Sequence, residues 1–340
     1  MLLSNVQLDE VVAARPPSAP RTPFLAAGNP RPVLRAACEG DAQGVLAVVL
    51  ETEGSTYAHV GAMAYFAAER QVGWLSGGCL EPVLAEEAAK VAAAGIVGWM
   101  EIDTRGDEDL LSGSALGCRG RLRLALLPLQ AMRGVDAMIE TWLQGADELL
   151  FDLDAEGDVR VAAGTASVAM RLPSAPPAWH ATRHAWSITV QRLPSALVLG
   201  AGPEAPALLR LLHELGWRTT LAERRPRWRN PDALVDRHVA TIASAVADDA
   251  DVALVMHHHF ELDREALEAL ASTSIPFIGL LGPQRRRDDL FKLLTPQQRA
   301  SFASRLHSPV GLPLGGQGPE AIALSIAAQL QAWRSTSQSQ

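Results

Sequence analysis

A glycine-rich turn between an apolar strand and an amphipathic helix is the feature that most constrains how this 340-residue chain can fold. The segment ALVLGAGPEAPALLRLLHELGWRTTLAE, at residues 196–223, follows the order strand, turn, helix, strand. Further apolar strands and amphipathic helices alternate from there to Trp333. Short links between alternating strands and helices favour a parallel sheet with helices on both faces. The pattern therefore predicts a doubly wound, Rossmann-like α/β domain over residues 195–334.

The same turn predicts a site for a dinucleotide. Gly200 and Gly202, with Ala205 in place of a third glycine, would let a pyrophosphate approach the backbone and the helix N-terminus closely. Glu223 closes the next strand 23 positions after Gly200, where a carboxylate would bind a ribose hydroxyl. Arg224 and Arg225 follow it and could meet a 2′-phosphate, so NAD and NADP both stay open. The alternative interpretation is a Rossmann fold that has lost its nucleotide.

Two later strands also end in residues that could face a ligand, since ligands bind at the carboxyl ends of the strands in open α/β sheets. His258 stands in a run of three histidines directly after the predicted strand at residues 252–256. Gly282 follows the predicted strand at residues 277–281, and Arg285, Arg286 and Arg287 after it offer the charge that a phosphate requires. The alternative interpretation of these arginines is a solvated basic turn.

The remainder of the chain predicts a first domain, a connection and two ends. Residues 31–172 combine apolar strands with helices, among them a helix over Pro82–Ala94, and form a predicted α/β domain. Residues 173–194 have prolines at both ends and are predicted to be a linker. Residues 1–30, rich in Ala, Pro and Arg, predict a largely disordered leader, and residues 335–340 a frayed tail.

Three cysteines are too few and too widely spaced for a disulfide framework, and none forms a CxxC pair: Cys38, Cys79 and Cys118. Cys79 lies just before the predicted helix, where the helix N-terminus lowers the pKa of a thiol and makes it a better nucleophile or metal ligand. Its turn contains Ser76, Gly77 and Gly78.

Cys118 lies in the motif GCRG, beside the guanidinium of Arg119, which favours the thiolate in the same way. The flanking glycines permit close approach by a bulky ligand. The alternative for both glycine-flanked cysteines is the usual role of a free cysteine, a small apolar filler. Cys38 has no such surroundings and is predicted to be structural.

Composition excludes several classes of function. The net charge of −8 gives no electrostatic reason to expect a nucleic-acid partner. No uninterrupted apolar stretch is long enough for a membrane span, and the first residues do not resemble a secretory signal, so we expect a cytoplasmic protein. The motifs GxSxG, P-loop and HExxH are absent from the sequence, so the common hydrolase and phosphotransferase mechanisms lack their parts.

Several motifs occur together, in order, from about residue 40 to residue 333. The first domain contains ETEGST with the following Gly61, SGGCLE and GCRG. The second contains LGAG, VMHHHFELD, IGLLGPQRRR, SPVGL and PEAIALSIAAQLQA. Taken together, these motifs resemble the XdhC/CoxI family, the accessory proteins of molybdenum hydroxylases such as xanthine dehydrogenase.

The resemblance implies an N-terminal cofactor-handling domain, a C-terminal Rossmann domain and a role in binding, maturing and inserting molybdenum cofactor. Cys79 and Cys118 fall on the family's glycine-flanked cysteines and would contact the molybdenum. Their neighbours would bind the rest of the cofactor: Ser76, Gly77, Gly78 and Arg119. His258 falls on its strand-end histidine, and Asp263 on the acid that follows. A molybdenum hydroxylase client, a cysteine desulfurase and a second copy of the chain are the implied partners.

The chain departs from the family pattern at a few positions. Pro203 stands where many members have His, Glu223 where Asp is usual, Pro313 where an Asp follows GL, and GCRG where GCGG is common.

From the resemblance, the leading hypothesis is a non-enzymatic maturation factor that loads molybdenum cofactor. The alternatives are an NAD(P)-dependent oxidoreductase with His258 as acid and base, and a nucleotide-sensing regulator.

Overall fold

The chain divides into two units, Met1–Arg192 and Leu193–Gln340. The computed structural model describes residues 24–25, 28–40, 43–68, 70–105, 119–175, 177–179, 183–229, 235–247 and 249–337. None of the described helices combines the length and the apolarity needed to cross a lipid bilayer.

The described part of the first unit contains helices and mostly antiparallel strands. The helices are α1 (Arg31–Glu39), α2 (Glu81–Ala94) and α3 (Val135–Leu143). The strands are β1 (Phe24–Leu25), β2 (Val45–Gly54), β3 (Met63–Ala67), β4 (Arg70–Val72), β5 (Gly98–Asp103), β6 (Gly120–Pro128), β7 (Glu148–Asp154), β8 (Asp158–Ala163), β9 (Ala166–Arg171) and β10 (Ala185–Gln191).

One sheet of this unit has the order β4-β3-β2-β6-β5 and carries α2 on one face. The helix begins with Pro82 in its first turn, where a missing N–H costs nothing. It ends at Gly95, whose φ of 65° lets its N–H reach the carbonyl of Val91. Leu84, Ala88 and Val91 share the helix face that packs on the sheet, and this packing fixes the turn that precedes the helix.

The other sheet has the order β1-β10-β7-β8-β9. Its strand β10 lies inside the predicted linker, residues 173–194, and pairs with β7 along its whole length. The structure therefore differs from the linker prediction: the prolines flank a strand that belongs to the first unit. Part of the predicted leader also belongs to this sheet, since β1 pairs with β10. Residues 1–23 and 26–27 lie outside the described ranges.

The second unit is the predicted α/β domain. Its described strands are β11 (Ser195–Leu199), β12 (Arg218–Ala222), β13 (Arg237–Val239), β14 (Val252–Val255), β15 (Phe277–Leu280) and β16 (Leu306–His307). Its described helices are α4 (Ala205–Glu214), α5 (Ile242–Val246), α6 (Phe260–Leu270), α7 (Gln284–Leu293), α8 (Pro296–Ser301) and α9 (Pro319–Ser337).

These strands form one parallel sheet in the order β13-β12-β11-β14-β15-β16. Two apolar clusters lie on its two faces, so the doubly wound fold is confirmed. The predicted basic turn around Arg285 is instead the first turn of α7. The predicted tail is shorter than expected, because α9 continues through residues 335–337.

The sheet order brings four chain segments to one edge. The glycine turn after β11, Glu223 after β12, His258 after β14 and Gly282 after β15 follow four neighbouring strands. The carboxyl ends of parallel strands meet at the same edge, so these segments can contact one another.

Candidate functional site

The turn before α2, residues 76–80, is held by two buried side chains. Glu81 Oε1 accepts the N–H groups of Leu75 and Ser76 at 3.0 and 2.9 Å, and its Oε2 accepts the Ser76 hydroxyl. Ser76 Oγ in turn accepts the N–H groups of Gly78 and Leu80 at 3.1 and 3.0 Å. Two neighbouring side chains thus accept four of the backbone amides along residues 75–80 and give the turn one defined shape.

The charge of Glu81 depends on this arrangement. Burial alone would raise the pKa of Glu81, but the hydrogen bonds from Ser76 and Leu75 outweigh it and lower the pKa below the ordinary value. The depressed pKa means that the carboxylate stabilises the fold above its unfolded pKa. This contribution is lost as the pH falls through the folded pKa.

Replacing Ser76 by alanine should destabilise the chain by about 1–3 kcal/mol, because a buried carboxylate and two amides lose their partner. The measurement is urea unfolding of the full chain followed by circular dichroism. Ser167→Ala, at an exposed serine of β9, is the matched control and should change the free energy of unfolding by less than about 0.5 kcal/mol. Equal effects of the two substitutions would contradict the bracing role of Ser76.

Cys79 lies on this turn with its side chain exposed, just before α2 as predicted. It borders a shallow cleft of the first unit. The cleft is lined by Thr56, Tyr57, Leu75, Ser76, Cys79, Leu80, Ile102, Thr104, Gly120 and Leu122. Gly77 opens onto free space, since a Cβ built there would meet no atom within 4 Å. A bulky ligand can therefore reach the thiol.

Aromatic side chains are exposed around the same turn. Tyr57 borders the cleft and exposes 58% of its surface. Trp74 exposes 61%, and a Cβ built on Gly78 would lie 4.0 Å from its ring. Large exposed aromatic rings beside an accessible thiol are typical of a contact surface for a ligand or partner.

The second glycine-flanked cysteine, Cys118, lies outside the described residues, as does Gly117. The other half of its motif is described. Arg119 is exposed, and its carbonyl accepts the N–H of Ser55 at 3.1 Å. Gly120 pairs with Gly54 and borders the cleft of Cys79. The described end of the GCRG motif and the SGGCLE turn thus line the same cleft, although they lie far apart in the sequence.

The third cysteine has different surroundings from Cys79. The Cys38 Sγ lies 3.7 Å from the Asp136 carbonyl and from Glu140 Oε1. Burial, followed by the charge of Glu140, raises the pKa of Cys38 to about 11. Its thiol therefore stays protonated at neutral pH.

In the second unit, the acid after β12 is turned toward the glycine turn. Glu223 is 3% exposed, and its Oε2 accepts the N–H of Ala201 at 2.8 Å. Arg225 donates to both carboxylate oxygens of Glu223, at 2.9 and 2.6 Å. The same guanidinium donates to the carbonyls of Ala201 and His257, both at 2.7 Å. Arg225 thus joins the ends of three strands.

A second pair lies at the entry to α4. Glu204 is 2% exposed, and its Oε1 lies 2.8 Å from His258 Nε2. A Cβ built on Gly202 would be 2.7 Å from the His258 ring and 2.8 Å from Glu204 Oε1, so only glycine leaves room for the pair. His258 has a φ of 55°, which is rare for a residue with a side chain. Such strain concentrates at functional sites.

The hydrogen bond to Glu204 raises the pKa of His258 above its ordinary value, and burial opposes this shift. We expect Glu204→Gln to lower this pKa, since the variant loses the negative charge that holds the proton. Because the folded pKa is raised, the ion pair stabilises the fold fully below the unfolded pKa and is lost as the pH rises through the folded pKa.

Histidine NMR titration of the full chain measures this difference. His307, whose pKa is lowered by burial, serves as the internal control and should titrate alike in both proteins. An unchanged titration of His258 in Glu204→Gln would show that Glu204 does not hold its proton.

Behind this pair, His257 and Asp263 are buried together. Asp263 Oδ1 lies 3.1 Å from His257 Nδ1, and Oδ2 accepts a hydrogen bond from Arg286 at 2.6 Å. Burial would raise the pKa of Asp263, but these two partners outweigh it and lower the pKa. Arg286 also lies against Gly282, where a built Cβ would be 2.8 Å from the arginine Cδ.

The remaining residues predicted for nucleotide binding lie apart from this network. Ala205 is fully buried at the start of α4. Arg285 is exposed. Arg224 is also exposed and pairs with Glu265 at 2.9 Å. Sequence analysis missed one network residue, Glu204, whose local signal was an acid two positions after Gly202. It took Arg225 and Arg286 for phosphate contacts, whereas the structure pairs them with Glu223 and Asp263.

Metal-binding side chains are not clustered in the part of the chain that the structure describes. No group of three or more His, Cys, Asp or Glu side chains there is placed to hold a metal ion.

Comparison with known proteins covers both units. The sequence model of the XdhC Rossmann domain matches residues 196–330, and that of the XdhC and CoxI family matches residues 37–101. The two matches lie in different units and in the order that the sequence motifs predict.

Relatives support the same assignment over nearly the whole chain. A Bacillus subtilis strain 168 protein, described as a probable subunit of xanthine dehydrogenase, is 25% identical over 325 residues, covering 89% of this chain and 97% of the relative. An uncharacterized Escherichia coli K12 protein, YqeB, is 26% identical over 144 residues, covering 40% of this chain and 27% of the relative. A crystal structure of a xanthine dehydrogenase from Bacillus halodurans has a TM-score of 0.73 and 27% identity, covering 90% of this chain and 96% of that one.

Proposed function

Because this chain belongs to the XdhC and CoxI family, we propose that it is an accessory protein of a molybdenum hydroxylase of the xanthine dehydrogenase type. The Bacillus subtilis relative, described as a probable subunit of xanthine dehydrogenase, supports this association. In the proposal the chain binds molybdenum cofactor as cargo and delivers it to the client enzyme. It catalyses no turnover of its own.

The observation that carries the proposal is the exposed Cys79 on a braced turn. A thiolate is a soft ligand and suits the molybdenum of a cofactor that already brings dithiolene sulfurs. Because Ser76 and Glu81 fix the turn before any ligand arrives, less conformational entropy is lost on binding. We propose Cys118 as a second contact, since Gly120 of the same motif borders the cleft.

In the proposal the flat pterin part of such a cargo lies over the mouth of the cleft, which is too small to enclose it. Leu75, Leu80 and Leu122 give the cleft an apolar lining, and Tyr57 offers an exposed ring for stacking. Arg119 is exposed beside Gly120 and could supply charge to the cofactor phosphate.

The test is titration of the purified full chain with isolated molybdenum cofactor. We expect a Kd of about 1 μM or tighter, as a carrier requires. The absence of binding, under conditions in which a known molybdenum cofactor carrier binds, would contradict the proposal. A second measurement is the molybdenum content of the client enzyme produced with and without this chain, which should fall in its absence.

Two further partners stay predictions. A cysteine desulfurase should co-purify with the chain, and a second copy should form a homodimer. Analytical ultracentrifugation showing only monomer across micromolar concentrations would remove the homodimer.

A further inference from the structure

The carboxyl edge of the parallel sheet is filled by side chains of the chain itself. We infer that the second unit takes no NAD or NADP, in either redox state, because these side chains occupy the positions that a dinucleotide needs. The inference is independent of the proposed cargo role.

A pyrophosphate needs free N–H groups at the glycine turn and the helix start. Within the stretch Ala201–Pro206, Ala201 already donates to Glu223, and the N–H of Ala205 donates to the Gly202 carbonyl at 3.1 Å. Pro203 and Pro206 have no N–H at all. Four of these six residues therefore have no N–H group left to bind a pyrophosphate.

The charges at this place are already paired within the chain and leave no free positive charge for a pyrophosphate. The Glu204 carboxylate is buried beside Gly202, where the second glycine would admit the pyrophosphate. Like charges at such short range repel strongly in a partly buried site. The only basic side chain in contact with this carboxylate among the described residues is His258, which it already engages at 2.8 Å. The His258 ring itself occupies the space beside Gly202 that a pyrophosphate would need.

The ribose would lack its acceptor. Glu223 accepts from Ala201 and from Arg225 with both carboxylate oxygens and is 3% exposed. Freeing it would also break the hydrogen bonds from Arg225 to the carbonyls of Ala201 and His257. The motif residues that suggest a dinucleotide site thus serve to connect the strand ends. The oxidoreductase alternative, and a regulator that senses NAD or NADP, both lose their ligand.

The test uses the full chain and four probes: NAD⁺, NADP⁺, NADH and NADPH. Isothermal titration with each probe, and energy transfer from tryptophan to the reduced nicotinamides, should show no saturable binding up to about 1 mM. Saturable binding of any probe with a Kd below about 1 mM would overturn the inference.

Histidine NMR of the same sample reports on the site directly. His258 should keep its raised pKa, which shows that the network is intact, and its signals should not move when NADH is added to about 1 mM. A saturable shift of the His258 signals would overturn the inference even if the calorimetric signal is small. Signals of His59, an exposed histidine of the first unit, serve as the control for nonspecific effects.

Discussion

Replacing Cys79 by alanine should weaken the binding of molybdenum cofactor by about 100-fold or more. Losing a residue that merely supports a metal ligand costs about 10–100-fold in affinity, so losing the ligand itself should cost at least as much. Because Cys79 is exposed and the hydrogen bonds that hold the turn come from Ser76 and Glu81, the fold should be unaffected. The measurement is titration with the cofactor, with thermal unfolding as the check on folding.

Cys38→Ala is the matched control for this substitution. It removes a thiol from the same unit, but one that burial and Glu140 keep protonated, with a pKa of about 11. We expect this variant to bind the cofactor as the native chain does. If the native chain binds and Cys79→Ala binds equally well, Cys79 is not the ligand, whereas the carrier role itself would stand.

The largest expected effect on stability comes from Arg225→Ala, which should cost about 3–5 kcal/mol. The substitution leaves the Glu223 carboxylate, with a side chain only 1% exposed, without its charged partner. It also removes the donor to the carbonyls of Ala201 and His257. Urea unfolding of the full chain, followed by the fluorescence of buried tryptophans such as Trp217, measures the loss.

Arg224→Ala provides a control one position away. Its pair with Glu265 is exposed at both ends, 54% and 43%, so the expected cost is below about 1 kcal/mol. The double variant Glu223→Gln with Arg225→Met should recover part of the loss, because no charge then stays buried alone. Equal costs for Arg224→Ala and Arg225→Ala would mean that the network does not stabilise the sheet edge.

The sequence could predict the four central strands of the second unit because they are buried on both faces, whereas the short outer strands β13 and β16 were missed. Strands such as β14 and β15 are apolar throughout, so their runs stand out without any knowledge of their neighbours. Helix α7 was missed because Leu290 is its one fully buried residue in the structure, which leaves no apolar stripe to recognise. Strand β10 was missed because the prolines on either side of it suggested a linker.

The candidate site also has one part that the sequence could predict and one part that it could not. The turn around Cys79 could be predicted, since Ser76 and Glu81 lie five positions apart and act locally. The pairing of Glu204 with His258 spans 54 positions, and that of Glu223 with Ala201 spans 22. Only the sheet order brings these residues together. A carboxylate at the usual ribose position therefore looked available in the sequence but is engaged in the structure.

The place of β10 in its sheet has a consequence for synthesis on the ribosome. Strand β7 pairs with β8 on one side and with β10 on the other, so its second edge is bare until Ala185–Gln191 has emerged. At about 5–20 residues per second, that edge is exposed for a few seconds. An unpaired strand edge invites pairing with another nascent chain. We therefore expect substitutions that slow or prevent the docking of β10 to cause aggregation during expression, before any cargo is bound.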